Sequence, residues 1–247
     1  ISHITPKYEK VLKLGFLGIA DEAESHIARL EHIESAGAMT PELLQQLHFY
    51  EAVKITCSAA ARLAERYRQK VVELAEDCRE ENRRRELLKI ADVLKQVPAR
   101  PAQTFHEAVQ SVWLAHVIVH QENFQHGISF GRMDQYLYPY YAADVKAGRI
   151  EYRDAVELLG CMMVKCAEIL PLFNSVGTKF FSGLSSAQGI TLGGTDQAGN
   201  DATNELSFAF LDAFDATRAC GRVAAPGHDH RRAVGASILQ EGLQRLG

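Results

Sequence analysis

What this sequence lacks narrows it first. No apolar run reaches the roughly 18 residues that a membrane-spanning helix requires. The N-terminus has no basic head followed by an apolar block, so the chain is expected to work in the cytoplasm. CxxC pairs are absent: Cys57, Cys78, Cys161, Cys166 and Cys220 are odd in number and scattered, which argues against a disulfide framework and a zinc knuckle. Basic residues do not dominate, at 27 against 31 acidic for a net charge of -4. That balance speaks against nucleic acid or an anionic membrane as partner and leaves small molecules. Nothing recurs at a fixed period, so a solenoid is not expected.

What is present is an ordinary globular composition, 47% hydrophobic and 23% charged over 247 residues, enough for one large core or two small ones. Helical signals dominate. Thr5-Pro6 reads as a cap with proline at the first helical position, followed by Tyr8, Val11, Leu12, Leu14, Phe16, Leu17 and Ile19. Gly15 and Gly18 either interrupt that helix or let another backbone approach it. Thr40-Pro41-Glu42 opens a second, long amphipathic helix, with Leu43, Leu47, Tyr50, Val53, Cys57, Ala60, Leu63 and Tyr67 in helical period. In the run 79–86 the acids offset the arginines, which makes it a solvated face or a connection between helices. Pro98 and Pro101 stop helix propagation, and Thr104-Phe105-His106-Glu107 is a capping box that opens a nearly all-apolar helix. His116 and His120 on that helix are spaced i, i+4, as metal ligands need. The glutamate that usually stands between them is missing, so they read as core histidines. Cys161 and Cys166, in the apolar helical run 152–170, read as small core residues rather than nucleophiles.

Chemistry concentrates in His126-Gly127-Ile128-Ser129-Phe130-Gly131-Arg132-Met133-Asp134-Gln135-Tyr136-Leu137-Tyr138-Pro139. Two glycines flank a short expected strand over 128–130. Arg132, Asp134 and Gln135 then gather ahead of a helix expected over 135–146, disturbed at Pro139 and ended by Gly148. Arg132 and Asp134 read as a buried framework pair bracing the strand–helix turn. A second strand, Ile190-Thr191-Leu192, is closed by Gly193 and Gly194. It leads into a turn at Asp196 and an Asp201-capped helix running to Phe214. Strands separated by whole helices fit a larger sheet or barrel and not a hairpin.

Four segments, in this order, resemble the glycyl-radical enzyme family in its pyruvate formate-lyase-like domain. They are Thr5-Pro6-Lys7-Tyr8-Glu9-Lys10-Val11-Leu12, Pro101-Ala102-Gln103-Thr104-Phe105-His106-Glu107-Ala108-Val109-Gln110-Ser111-Val112-Trp113, the stretch from His126, and Ile190-Thr191-Leu192-Gly193-Gly194-Thr195-Asp196 with residues 199–212. The resemblance spans residues 1–218 and is nearest to the branch of glycerol and diol dehydratases, choline trimethylamine-lyase and hydroxyproline dehydratase. It implies an α/β, helix-rich fold that is an incomplete half of a ten-stranded barrel wrapped in helices. It also implies a reaction: a glycyl radical oxidises a cysteine to a thiyl, which takes hydrogen from a hydroxylated carbon. A base then deprotonates the hydroxyl, and water or an amine leaves from the adjacent carbon.

The same resemblance implies no bound cofactor and no metal. The radical would be installed by a radical-SAM iron–sulfur activating enzyme on a homodimer that acts on a small hydroxylated or aminated substrate. His126 matches the family's pocket histidine by alignment to the Gly-Arg-x-Asp-Gln that follows, and Gly127 stands where polyol dehydratases place a pocket serine. Ser129 offers another hydroxyl, while Arg132, Asp134 and Gln135 form the pocket framework. Neither the family's Gly-Cys-Val-Glu-like loop nor its Arg-Val-Ser-Gly-Tyr-like motif occurs in these 247 residues. The radical glycine and thiyl cysteine are therefore expected outside this chain, which is expected to be inactive alone. From Ala219 the likeness fails, and 219–247 reads as a divergent or frame-shifted tail. Two other readings stay open: a non-catalytic fragment, and a helical interaction module built on 37–122.

Overall fold

The computed structural model describes residues 4–122, 128–169, 175–180 and 189–217. The chain divides into two compact units, residues 8–118 on one side and 1–7 with 119–247 on the other. The tail 219–247 lies outside the described residues, as does His126-Gly127.

The first unit is helical. Helices α1 (Tyr8–Ser35), α2 (Pro41–Asp77), α3 (Glu81–Gln96) and α4 (Phe105–Glu122) follow one another, with α1 packed on α2 and α2 on α3. Each start has a local cause. Thr40 accepts from Leu43 N at 3.3 Å with Pro41 in the first turn of α2. Glu80 accepts from Asn82 N and Arg83 N at 2.9 and 2.7 Å and starts α3. The expected box at α4 is reciprocal, Glu107 N donating to Thr104 Oγ1 at 3.2 Å and Thr104 N to Glu107 Oε2 at 3.3 Å. The run 79–86 is a solvated face, two of its arginines paired with acids one turn away in Arg83–Glu86 and Arg84–Glu81. Small buried residues on α2, Cys57, Ala60, Ala64 and Ala75, bring neighbouring helices close.

Helix α1 begins at Tyr8 and not directly after Thr5, because Ile4 is held extended, its carbonyl accepting from Ser129 N at 2.9 Å. Gly15 does break it. With φ 66° and ψ 171°, it occupies a region open in practice only to glycine. A Cβ there would lie 2.4 Å from Ala99 O. The loop 97–102, which contains the cis Val97-Pro98 bond, fills the break. Pro98 O and Ala99 O accept from Phe16 N and Leu17 N at 2.8 and 2.9 Å, and Ala102 N donates to Leu12 O at 3.0 Å. The groups orphaned by the interrupted helix are thus paired with loop backbone.

The second unit carries the strands. β1 (Gly131–Arg132) pairs in parallel with β2 (Ile190–Thr191), and Ile4 bridges in parallel to Ile128. The strand expected at 128–130 is extended but ladders on alternate sides: Ser129 bonds to Ile4, and Phe130 N donates to Gly189 O at 2.9 Å. The expected helix over 135–146 is two, α5 (Met133–Tyr136) and α6 (Tyr138–Lys146), the second with proline in its first turn. α7 (Tyr152–Glu168) packs on α9 (Glu205–Thr217), and α8 spans Ser175–Phe180. Tyr152 donates to Asp212 at 2.7 Å across α7 and α9. Cys166 is buried as expected, whereas Cys161 is exposed, on the outer face of α7. α9 starts after Asn204 and not Asp201, since Asp201 is used in a bridge to Thr195. Among the described residues no helix is long and apolar enough to cross a membrane.

Two outcomes follow. Gly15→Ala should lower the unfolding free energy by about 3 kcal/mol or more, read from urea denaturation, because both φ and the Ala99 carbonyl oppose a methyl group. His106, in the first turn of α4, has its pKa lowered to about 4 by burial and then by Lys89, from 6.5. Its unfolded state takes up a proton first, so its contribution is complete above pH 6.5 and is lost as pH falls toward 4. Relative to His106→Gln, the wild-type chain should lose about 2–3 kcal/mol between pH 7 and pH 4.5.

Candidate functional site

Asp134 is fully buried at 0% exposure. It sits in the single turn of α5, just after β1, and looks across to β2 and the start of α9. Its Oδ2 accepts from Gly193 N at 2.6 Å and from Ser207 Oγ at 2.5 Å. Its main-chain oxygen accepts from Asn204 Nδ2 at 3.0 Å. Burial pushes its pKa above the ordinary carboxylate value, while the Ser207 and Gly193 bonds and the Arg132 charge pull it back.

Gln135 donates to Ala202 O at 2.8 Å, and Arg132 Nη1 to Thr195 O at 3.0 Å. The guanidinium passes beside Gly194, whose φ of 86° favours glycine, while a Cβ there would meet Arg132 at an ordinary 3.6 Å. Arg132 Nε and Nη2 and Asp134 Oδ1 are buried with no partner among the described residues. Arg132 and Asp134 therefore do not pair with each other as the sequence suggests. Each reaches separately into 193–207.

That segment is itself pinned. Asp196 accepts from Ala198 N and Asn200 N at 2.8 and 2.9 Å, a turn closed by Gly199 at φ 84°. Asn204 Oδ1 accepts from Leu206 N and Ser207 N at 3.0 and 3.2 Å, and Ser207 Oγ accepts in turn from Asn204 N at 3.1 Å. The signal for this cap is the Asn-x-x-Ser spacing, three residues beyond the expected cap at Asp201.

Ser129 is half-buried on the extended run before β1. A Cβ on Gly189 would approach its Oγ to 3.0 Å, so glycine opposite leaves that hydroxyl its space. Gly131, at φ 71°, would carry a Cβ 2.7 Å from Thr5 Cγ2 and lets the chains of residues 5 and 131 run close. The structure brings Ser129, Arg132, Asp134 and Gln135 into one strand–turn–helix; His126 and Gly127, directly before it, lie outside the described residues.

Elsewhere the chemistry is sparse. Among the described residues no cluster of three or more His, Cys, Asp or Glu could hold a metal. The Cys166 thiol is pushed up to about 12 by burial and stays protonated at neutral pH. His116 accepts or donates a 2.6 Å hydrogen bond with Tyr8. Asp134→Ala strands the Gly193 N–H and the Ser207 hydroxyl and should cost about 3 kcal/mol in thermal or urea unfolding. Asp134→Asn keeps an acceptor oxygen and should cost less than half of that.

The comparisons agree on one family. The family model described as pyruvate formate lyase-like matches residues 1–220. Isethionate sulfite-lyase of Nitratidesulfovibrio vulgaris is 41% identical over 207 residues, 83% of this chain and 24% of that protein. A glycyl radical enzyme from Archaeoglobus fulgidus is 42% identical with a TM-score of 0.80, over 88% of this chain and 27% of its own. The glycerol-bound, B12-independent glycerol dehydratase of Clostridium butyricum is 33% identical with a TM-score of 0.81 over the same shares. The chain thus spans about a quarter of the length of the relatives it matches. With the helical unit, the parallel β1–β2 pair and the matched stretch all accounted for, this chain belongs to the pyruvate formate lyase-like family of glycyl radical enzymes.

Proposed function

We propose that this chain forms one wall of the substrate pocket of a glycyl-radical lyase or dehydratase, working with polypeptide that carries the cysteine and glycine loops. The observation that carries the reading is the 41% identity to a lyase of this family across 83% of the chain, which takes in the strand–turn–helix at Ser129–Gln135. In such enzymes a thiyl radical removes hydrogen from the hydroxylated carbon, and the group on the neighbouring carbon departs.

The work of this chain's own residues is to hold the substrate and keep water away. His126 and Ser129 hydrogen-bond the polar groups of a small hydroxylated substrate. Arg132, Asp134 and Gln135 set the angle of the strand that carries Ser129, through their bonds to 193–207. Gly127 withholds a hydroxyl that a polyol would use, which turns specificity away from glycerol. The leaving group is water, an amine or, as the name of the 41% identical relative indicates for that protein, sulfite. The β1–β2 pair is part of a larger barrel completed by further strands. The glycyl radical is installed by a radical-SAM activating enzyme, and the working form is a homodimer. The residues from 219 onward are a divergent or frame-shifted tail. A purely helical interaction module would leave the parallel pairing of Gly131 with Ile190 without a purpose.

The encoding DNA, read in all three frames around codon 219 and past codon 247, should yield both loop motifs; a complete gene with neither would end this reading. The extended protein, activated without oxygen, should release water, amine or sulfite from a small hydroxylated compound. In it, His126→Ala should lower kcat/KM by about a hundredfold. Gly127→Ser should raise turnover of glycerol relative to the preferred substrate by about tenfold, since one satisfied polar group is worth roughly 1–3 kcal/mol.

A further inference from the structure

Tyr8 and His116 form a buried pair that the proposed pocket does not use. Tyr8 is 1% exposed and His116 0%, and the phenol oxygen lies 2.6 Å from His116 Nδ1. The rings are 6.2 Å apart, and the ring of Trp113, one turn earlier on α4, is 6.4 Å from that of His116. Trp113 is only half-buried, whereas its two neighbours are enclosed.

A buried phenol cannot give up an electron unless its proton has somewhere to go, because a phenol radical cation in an apolar interior carries an unpaired charge. Neutral imidazole, with Nδ1 as the acceptor, removes that obstacle at hydrogen-bond distance. Indole is the other readily oxidised side chain, and here it is a partly exposed ring next to the enclosed pair. The two-residue pair alone would pin the start of α1 to α4. The third ring, beside His116 and partly exposed, adds a route for charge.

We infer that Trp113, His116 and Tyr8 form a proton-coupled electron relay that carries an oxidising equivalent from the surface to a sheltered tyrosine. A one-electron oxidant, such as a stray thiyl or oxygen-derived radical, takes an electron from Trp113 and is reduced. Trp113 recovers an electron from Tyr8, whose phenolic proton passes to His116 Nδ1, leaving a neutral tyrosyl radical and an imidazolium. The return of one electron and that proton restores the resting pair. This inference does not depend on the proposed lyase activity, and its test uses none.

The 247-residue chain is oxidised by a flash-generated ruthenium(III) polypyridyl complex, and tyrosyl radical is followed by transient absorption and freeze-quench electron paramagnetic resonance. The expected result is a long-lived tyrosyl component, absent in Tyr8→Phe. It should form about a hundredfold more slowly in His116→Gln, which lacks the proton acceptor, and about tenfold more slowly in Trp113→Phe. Circular dichroism establishes that each variant is folded. Should His116→Gln not fold, Trp113→Phe, which keeps the hydrogen-bonded pair, decides alone. A long-lived signal that persists in Tyr8→Phe, or formation in Trp113→Phe at the wild-type rate, overturns the relay. So does a wild-type rate in folded His116→Gln.

Discussion

A carboxylate without water around it must be given donors, and the Asp134 site follows from how that demand is met. The hydrogen bonds to Oδ2 reach far along the chain. The donors are the Gly193 amide and the Ser207 hydroxyl, 59 and 73 residues further along the chain. Satisfying one buried group therefore fixes the strand–helix turn after β1, the glycine turn after β2 and the first turn of α9. Arg132 and Gln135 repeat the pattern with backbone carbonyls of Thr195 and Ala202. Polar groups that are costly to leave unpaired bring distant segments into register. In this way an ionic-looking motif clamps distant segments together.

In the helical unit the organising device is a gap. Gly15 opens α1, and the 97–102 backbone closes it with three hydrogen bonds to Leu12, Phe16 and Leu17. Every one of those partners is main chain. The junction is therefore insensitive to side-chain identity over much of its length and sensitive to a single methyl group at Gly15.

Much of this was legible in the sequence where the signal is local. The caps at Thr40-Pro41 and at Thr104–Glu107 and the glycine break are local signals that the order of residues records directly. The matched segments carried the family. The misplacements have one cause: a residue committed elsewhere in the fold. Thr5-Pro6 does not start α1 because Ile4 is held by Ser129, and Asp201 does not start α9 because it bridges to Thr195. Arg132 and Asp134 are two apart in sequence and of opposite sign, which suggests a pair; the partners that outcompete it lie some sixty residues away, where no local pattern can announce them. Cys161 shows the same limit in miniature, since an apolar run does not say which side of a helix faces out.

The parallel bridges have a bearing on how the chain reaches this state. Ile4 pairs with Ile128, and Gly131 with Ile190, so each contact closes a loop that contains whole helices. Such closures carry a large entropic toll before any hydrogen bond is gained, and high contact order makes them slow. On the ribosome the β1–β2 pair cannot assemble until β2 has emerged, long after α1, α2 and α3 have their full sequence available. Helices come first and wait. During that interval β1 is a strand without its partner, a species open to pairing with another nascent chain.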